Sequence, residues 1–303
     1  MIAAASQGDR AAHPGAAAHL LPYHNPIALA HRMMWLDHMT GGRYIAGIAP
    51  PGAYASDAQL FGTGGGANNS KMMVEALDIL EAIFKREGAF KIEGEYFSVD
   101  MPAYDEEIAG PHLKPAQAQI PIMITGMSEN SSTIKFAGSR GAYLLSQQVH
   151  EKTWINHWET YSTAAKEAGY NPSKADWRVC RDIFVADTDE EALDLVRNGA
   201  MGTLWGQVQH PDLQGGWGLG PLLTGGLIDE DDLDLDWMIE NFFIIGSPDT
   251  VAARIEELYN AVGGFGTLVS FVHEYTDNPE PYRRSFELLG AKVAPPQLAH
   301  LNG

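Results

Sequence analysis

The sequence predicts an α/β chain built on a parallel sheet covered by helices, either a barrel or a doubly wound sheet. Three observations lead there. Strand-like and helix-like segments alternate along nearly the whole chain, the pattern of βα units. At 303 residues with 45% hydrophobic content the chain can bury one large core, so a single domain over residues 1–303 is expected. The stretch Leu36 to Lys71, LDHMTGGRYIAGIAPPGAYASDAQLFGTGGGANNSK, joins a helix end to a buried strand, a glycine-rich loop and the start of another helix. In parallel α/β proteins, ligands bind in the loops that follow the strands' carboxyl ends.

The elements follow in order. Ala16 to Leu21 is a weak strand. Asn25 can cap a helix that begins at Pro26, where the missing amide hydrogen costs nothing, and that runs to about His38. Gly41-Gly42 supplies the backbone freedom that ends it. Arg43 to Ala49 (RYIAGIA) is short, apolar and rich in small residues, as in a strand covered on both faces. Past the glycine loop, Asn69 or Ser70 is expected to cap a helix carrying Met73, Ala76, Leu77, Leu80 and Phe84 on one face, stopped by Gly88. Pro102, Pro111 and Pro115 break Glu93 to Gln119 into irregular or hairpin structure.

Ile120 to Thr125 (IPIMIT) is the next buried strand. GMSENSS leads from it into a helix over Thr133 to Ser139, and Ala142 to Ser146 is a strand again. Free amides and hydroxyls at such a helix start can hold a phosphate, or can simply cap the helix. Lys152 to Gly169 is helical, with Trp154, Trp158, Tyr161 and Ala165 on one stripe, and Trp177 to Ala186 is a strand. Thr188 and Glu191 form a capping box that opens a helix to about Asn198. Gly199 to Asp236 is glycine-rich with an acidic end and no steady period, which reads as an inserted lid or binding loop, or as a plain surface insertion. Ser247-Pro248-Asp249 starts the next helix and Gly263-Gly264 stops it. Gly266 to Val272 is the last strand, and Tyr282 to Val293 a closing helix.

Composition excludes several function classes. A formal net charge of −19 opposes binding to nucleic acid or to an anionic membrane surface. The one cysteine, Cys180, rules out a disulfide framework and sits in an apolar strand as a structural thiol. No apolar run approaches the roughly 20 residues that span a bilayer. Asp9, Arg10, His13 and Pro14 interrupt the alanine-rich amino terminus before a secretory core forms, so a cytoplasmic location is expected. No histidine pair has the HExxH spacing, and no serine sits in GxSxG, so neither a metal centre nor a serine hydrolase is indicated.

Three segments carry a resemblance: LPYHNPIALAHRMMWLDHMTGGRYIAGIAPPGAYASDAQLFG, PHLKPAQAQIPIMITG and FFIIGSPDTVAARIEELYNAVGGFGTLVSF. Together they resemble the bacterial luciferase-like flavin monooxygenases, particularly the limonene and alkanal monooxygenase-like branch. The resemblance implies a TIM barrel that binds reduced flavin mononucleotide (FMN) at the carboxyl ends of its strands. It also implies a reaction with O2 that passes one oxygen atom to a small apolar organic substrate such as a terpene or aldehyde, a separate flavin reductase, and a homodimer. A deazaflavin-dependent oxidoreductase of the same superfamily and a catalytically silent flavin-binding relative are the alternatives. Only six credible barrel strands are visible where eight are needed, so the family's first two β/α units are expected to be missing from this sequence.

Carried over onto this chain, the resemblance places phosphate contacts on Lys71, Ser128, Asn130 and Thr133, with Glu129 near the phosphate and ribitol. Ala49, Gly52 and Tyr54 would pass alongside the flavin ring, where small residues let backbone approach closely. Pro50-Pro51 stand where relatives carry an arginine that reaches the phosphate. The catalytic histidine of luciferases has no counterpart. His24, after an early strand, and His273, at the end of the last one, are the candidates to move a proton at the reacting oxygen.

Overall fold

The computed structural model describes residues 13–50, 55–103, 110, 113–209, 220–273 and 278–302. Gly52, Tyr54 and His112 lie outside them. The chain divides into two compact units, with the boundary between Thr125 and Gly126.

In the first unit β1 (His19–Leu20) is followed by α1 (Pro26–Met39), β2 (Ala46–Ala49), α2 (Ala55–Phe61), α3 (Gly66–Lys85), β3 (Phe90–Glu93), β4 (Ser98–Met101) and β5 (Ile122–Gly126). β1, β2 and β5 run parallel, His19 opposite Ile48 and Gly47 opposite Met123. All four residues of β2 are buried, the double coverage that its small apolar sequence requires. Asn25 caps α1 as its position before proline predicts, its side chain accepting from the Ala28 amide.

The start of α3 differs from expectation. Gly65 is the N-cap, and Asn69 is buried within the helix. The cause is backbone: Gly62, Gly64, Gly65 and Gly66 have φ of 65°, 73°, 71° and 48°, a left-handed run that side chains resist. α3 ends at Lys85, with Arg86 as C-cap, ahead of Gly88. The proline-broken stretch contains the antiparallel hairpin β3–β4, whose turn is held by the Glu75 carboxylate accepting from the amides of Glu95, Tyr96 and Phe97. Buried Asp37 accepts from the Gln117 backbone and side chain, fixing the chain ahead of β5.

The second unit runs α4 (Ser132–Ser139), β6 (Tyr143–Ser146), α5 (Glu151–Glu167), β7 (Trp177–Val185), α6 (Asp189–Asn198), α7 (Ala200–Leu204), α8 (Gly220–Thr224), α9 (Leu235–Asn241), β8 (Ile244–Gly246), α10 (Pro248–Ala261), β9 (Thr267–Phe271), α11 (Glu280–Leu288) and α12 (Ala294–Leu298). β7 organises it: β6 and β9 pair with its first half and β8 with its second, all parallel. β8 is the strand the sequence reading missed, because three residues of FFIIG were absorbed into the approach to the Ser247 cap. The capping box is present, Thr188 accepting from the Glu191 amide.

Within 199–236, Trp205 and Leu233 are buried and join Phe184, Met238, Phe242 and Phe243 in one apolar cluster. These described parts of the segment are therefore packed against β7, β8 and α9. The closing helix starts two residues earlier than expected, at Glu280, and turns at Leu289–Val293 before α12.

Candidate functional site

Side-chain alternation along β7 separates two faces. Trp177 stacks on Trp158 of α5, and Arg181 lies between the Trp154 and Phe242 rings at 4.3 and 4.0 Å, so these residues face the helices. Arg181 also donates to the Val149 carbonyl, and burial pulls its guanidinium down to about 10. Cys180 and Asp182 then face the other way. On β9 their register partners are Val269 and Phe271, and His273 follows two residues on.

On that second face the His273 Nε2 lies 2.7 Å from the Asp182 carboxylate, with both side chains 2% exposed. A carboxylate only accepts, so Nε2 carries the proton. Gln148, just past β6, donates to the other Asp182 oxygen. His273 Nδ1 is buried and has no partner among the described residues. Cys180 stands beside this group with its thiol pushed up to about 12, by burial first and the Asp182 charge second, so it is inert as a nucleophile.

A second constellation lies at the start of α4. Ser128, Glu129 and Asn130 are exposed, Thr133 half-buried, and Ser131 caps the helix by accepting from the Ile134 amide. Asn130 has φ 51°, and its amide donates to Asn156 Oδ1 at 2.7 Å, while Asn156 donates back to the Asn130 side chain. Glu129 is turned to Thr153, which donates to it at 3.3 Å.

From beneath, a directed chain holds the loop. Trp177 Nε1 donates to Ser146 Oγ at 2.9 Å, Ser146 donates to His157 Nδ1 at 3.1 Å, and His157 Nε2 donates to the Ser128 carbonyl at 3.1 Å. This polarity needs a neutral imidazole. Burial supplies it, bringing the His157 pKa down to about 4. The first-turn amides of Ser132 and Thr133 precede the first intrahelical bond, made by Lys135 to Ser131. Such a turn, ringed by small polar side chains, suits a phosphate through neutral donors and the helix dipole.

The other candidates belong to the first unit. Ala49 is buried at the end of β2, opposite Leu20. Lys71 is exposed, on the second turn of α3 rather than at its start. His24 is half-buried, its Nδ1 3.5 Å from the Arg32 guanidinium, and burial and Arg32 both lower its pKa. That setting favours a neutral acceptor over a proton donor. Its neighbour His19 bonds the Tyr44 hydroxyl at 2.9 Å and is brought down to about 4 by burial, then by His24 and Arg32.

Sequence reading thus named the α4 loop and His273 as candidates and did not name Asp182, Gln148, His157 or Ser146. Asp182 alone carried a signal, as an acidic residue in the middle of an apolar strand.

The described residues form a mainly parallel sheet with covering helices, the α/β class to which barrels belong. The family described as luciferase-like monooxygenase matches residues 1–264, and the chain belongs to it. It is an oxidoreductase of the monooxygenase class. The 2,5-diketocamphane 1,2-monooxygenase 1 of Pseudomonas putida is 36% identical over 287 residues, covering 92% of this chain and 78% of that protein. Limonene 1,2-monooxygenase of Rhodococcus erythropolis is 28% identical over 311 residues, 100% of this chain and 72% of that protein. Among solved structures, the oxygenating constituent of 3,6-diketocamphane monooxygenase from Pseudomonas putida superimposes with a TM-score of 0.88 at 36% identity, over 97% of this chain and 83% of that one. That protein is described as a type II Baeyer-Villiger monooxygenase in complex with FMN.

Proposed function

We propose that the protein is an FMN-dependent monooxygenase that inserts one oxygen atom into a small, apolar, cyclic ketone of the terpenoid kind. The observation that carries this is the 36% identity, over nearly the whole chain, to a diketocamphane monooxygenase described with FMN bound. When bound, reduced FMN supplies the electrons that activate dioxygen, one oxygen atom going to the substrate and the other to water.

The chain's own residues take the remaining roles. The α4 loop, with Ser128, Asn130 and Thr133 around the first-turn amides, holds the phosphate, and Glu129 stays tied to Thr153. By resemblance, Lys71 is assigned to the phosphate and Ala49, Gly52 and Tyr54 to the flavin ring. His273, its Nε2–H fixed on Asp182, presents Nδ1 as a buried acceptor for a proton at the reacting oxygen. His24 has the weaker claim, because burial and then Arg32 disfavour its protonated form. A separate reductase delivers the reduced flavin, a homodimer is the expected assembly, and 199–236 contributes the cover over the substrate.

Anaerobic titration with reduced FMN, followed by oxygen uptake on adding a bicyclic ketone, tests the proposal. Micromolar flavin binding with ketone-dependent uptake and a lactone product is expected. Tight binding of a deazaflavin with no oxygen uptake would instead identify the hydride-transferring alternative, and flavin binding with no turnover a silent relative.

A further inference from the structure

Asn198 is the last residue of α6, it is exposed, and Gly199 follows it. An Asn-Gly pair can close on itself: the glycine nitrogen attacks the side-chain carbonyl carbon of the asparagine, and glycine has no side chain to hinder the approach. The fold leaves that route open here. α1, α4, α5, α9 and α10 are each closed by the next amide bonding four residues back, at Thr40, Arg140, Ala168, Phe242 and Val262. Gly199 instead turns extended, at φ −105° and ψ −165°, and its amide makes no such bond. The Asn198 side chain is held by one exposed contact, Nδ2 donating to Asp194 at 2.9 Å, a weak restraint at a fraying helix end. Packing requires the glycine, because a Cβ there would lie 2.3 Å from the Leu195 carbonyl oxygen.

Asn241 supplies the contrast. It too is the exposed last residue of a helix, α9, but Phe242 follows it, with a buried side chain and an amide tied to the Met238 carbonyl at 2.9 Å.

We infer that Asn198 is a site of spontaneous modification in the folded protein, converted through a succinimide to aspartate and isoaspartate. A bond forms from the Gly199 nitrogen to Asn198 Cγ, the bond from Cγ to Nδ2 breaks, and Nδ2 leaves as ammonia, carrying the proton of the Gly199 amide. Water then opens the ring at either carbonyl, giving aspartate or an isoaspartate whose main chain runs through the former side chain. The place gives the change its consequence. Arg197, one residue earlier, holds Asp236 at 2.8 Å, so the new carboxylate enters where the two ends of 199–236 are tied together. It replaces the donor to Asp194 with a like charge four residues away, and it adds negative charge to the last turn of a helix, both unfavourable. Conversion therefore loosens the junction of α6 and α7. The inference does not rest on the flavin reading.

The test holds the full chain folded at neutral and at mildly alkaline pH, with circular dichroism as the check, and maps it over days with a protease that cuts ahead of aspartate but not isoaspartate. Asn198 is expected to disappear with first-order kinetics into both products, faster as pH rises because the nucleophile is the deprotonated amide, while Asn241 stays intact. Asn198→Gln is expected to abolish conversion at this position. Asn198→Asp is expected to speed hydrogen exchange over 199–204 by about two- to fivefold, as a lost i,i+4 contact and a gained repulsion predict, with β8 unchanged. An Asn198 that stays intact in the folded chain after Asn302, in the sequence's other Asn-Gly pair, has converted overturns the inference. So does equal loss at Asn198 and Asn241, conversion confined to the urea-unfolded chain, or exchange in Asn198→Asp no faster than in the unchanged protein.

Discussion

The α4 loop follows the end of β5, and the Asp182–His273 pair joins β7 to the residue two past β9, yet they are built in opposite ways. In the loop the side chains are exposed, and the shape is held by the backbone, by Asn156 and by the Trp177–Ser146–His157 chain below. In the pair the side chains themselves are the structure, buried and bonded to one another across 91 residues of sequence. The difference concerns tolerance. A loop that binds through amides survives changes to its side chains, whereas a buried carboxylate survives only while its partners are present.

The largest expected effect comes from breaking the pair. His273→Ala leaves the Asp182 carboxylate buried with Gln148 alone, and urea unfolding should show a loss of about 3–5 kcal/mol. His273→Asn, which restores a donor, should recover part of it. A loss under about 1 kcal/mol would put the pair in the same tolerant class as the loop.

The support beneath the loop should show itself in pH dependence. His157 titrates near 6.5 when unfolded and about 4 when folded. Its folded value is depressed, so the unfolded chain takes up the proton first. Stability contributed by the neutral ring is complete above about pH 6.5 and declines as the pH falls toward 4, by about 3 kcal/mol in all. Thermal melts from pH 7.5 to 4.5 should show this, and His157→Gln should flatten the decline.

A smaller effect is expected where α4 meets α5. A Cβ on Gly138 would lie 2.3 Å from the Tyr161 carbonyl oxygen and 3.0 Å from the Ala165 amide nitrogen, both backbone atoms. Gly138→Ala must separate the helices, which should cost about 1–3 kcal/mol in a denaturant titration. The smallest concerns the loop itself. Ser131→Ala removes the cap of α4 and should cost about 1 kcal/mol, and reduced-FMN affinity should fall only a fewfold. A hundredfold loss of affinity would show that side chains, rather than amides, carry the phosphate.

What was legible in the sequence shares one property: it depends on residues a few positions apart. The Asn25-Pro26, Thr188-Glu191 and Ser247-Pro248 helix starts follow from capping within one turn. The burial of β2 and β5 follows from short apolar runs, and the family from its ordered motifs. Even the misplaced α3 cap was a local matter, since the glycine run that displaced it was in plain view.

Tertiary structure alone decided the rest. A three-residue strand such as β8 becomes a strand only when β7 supplies the edge it pairs with. Gln148, Asp182 and His273 look unrelated in the chain, because the parallel register of β7 and β9 brings Asp182 and His273 together and Gln148 reaches Asp182 from the loop past β6. His157 reads as one more helical polar residue until folding buries it between Ser146 and Ser128. Local chemistry fixes which segments form and which family they make. The protonation and partners of buried polar groups depend on neighbours that only the packed chain brings within 3 Å.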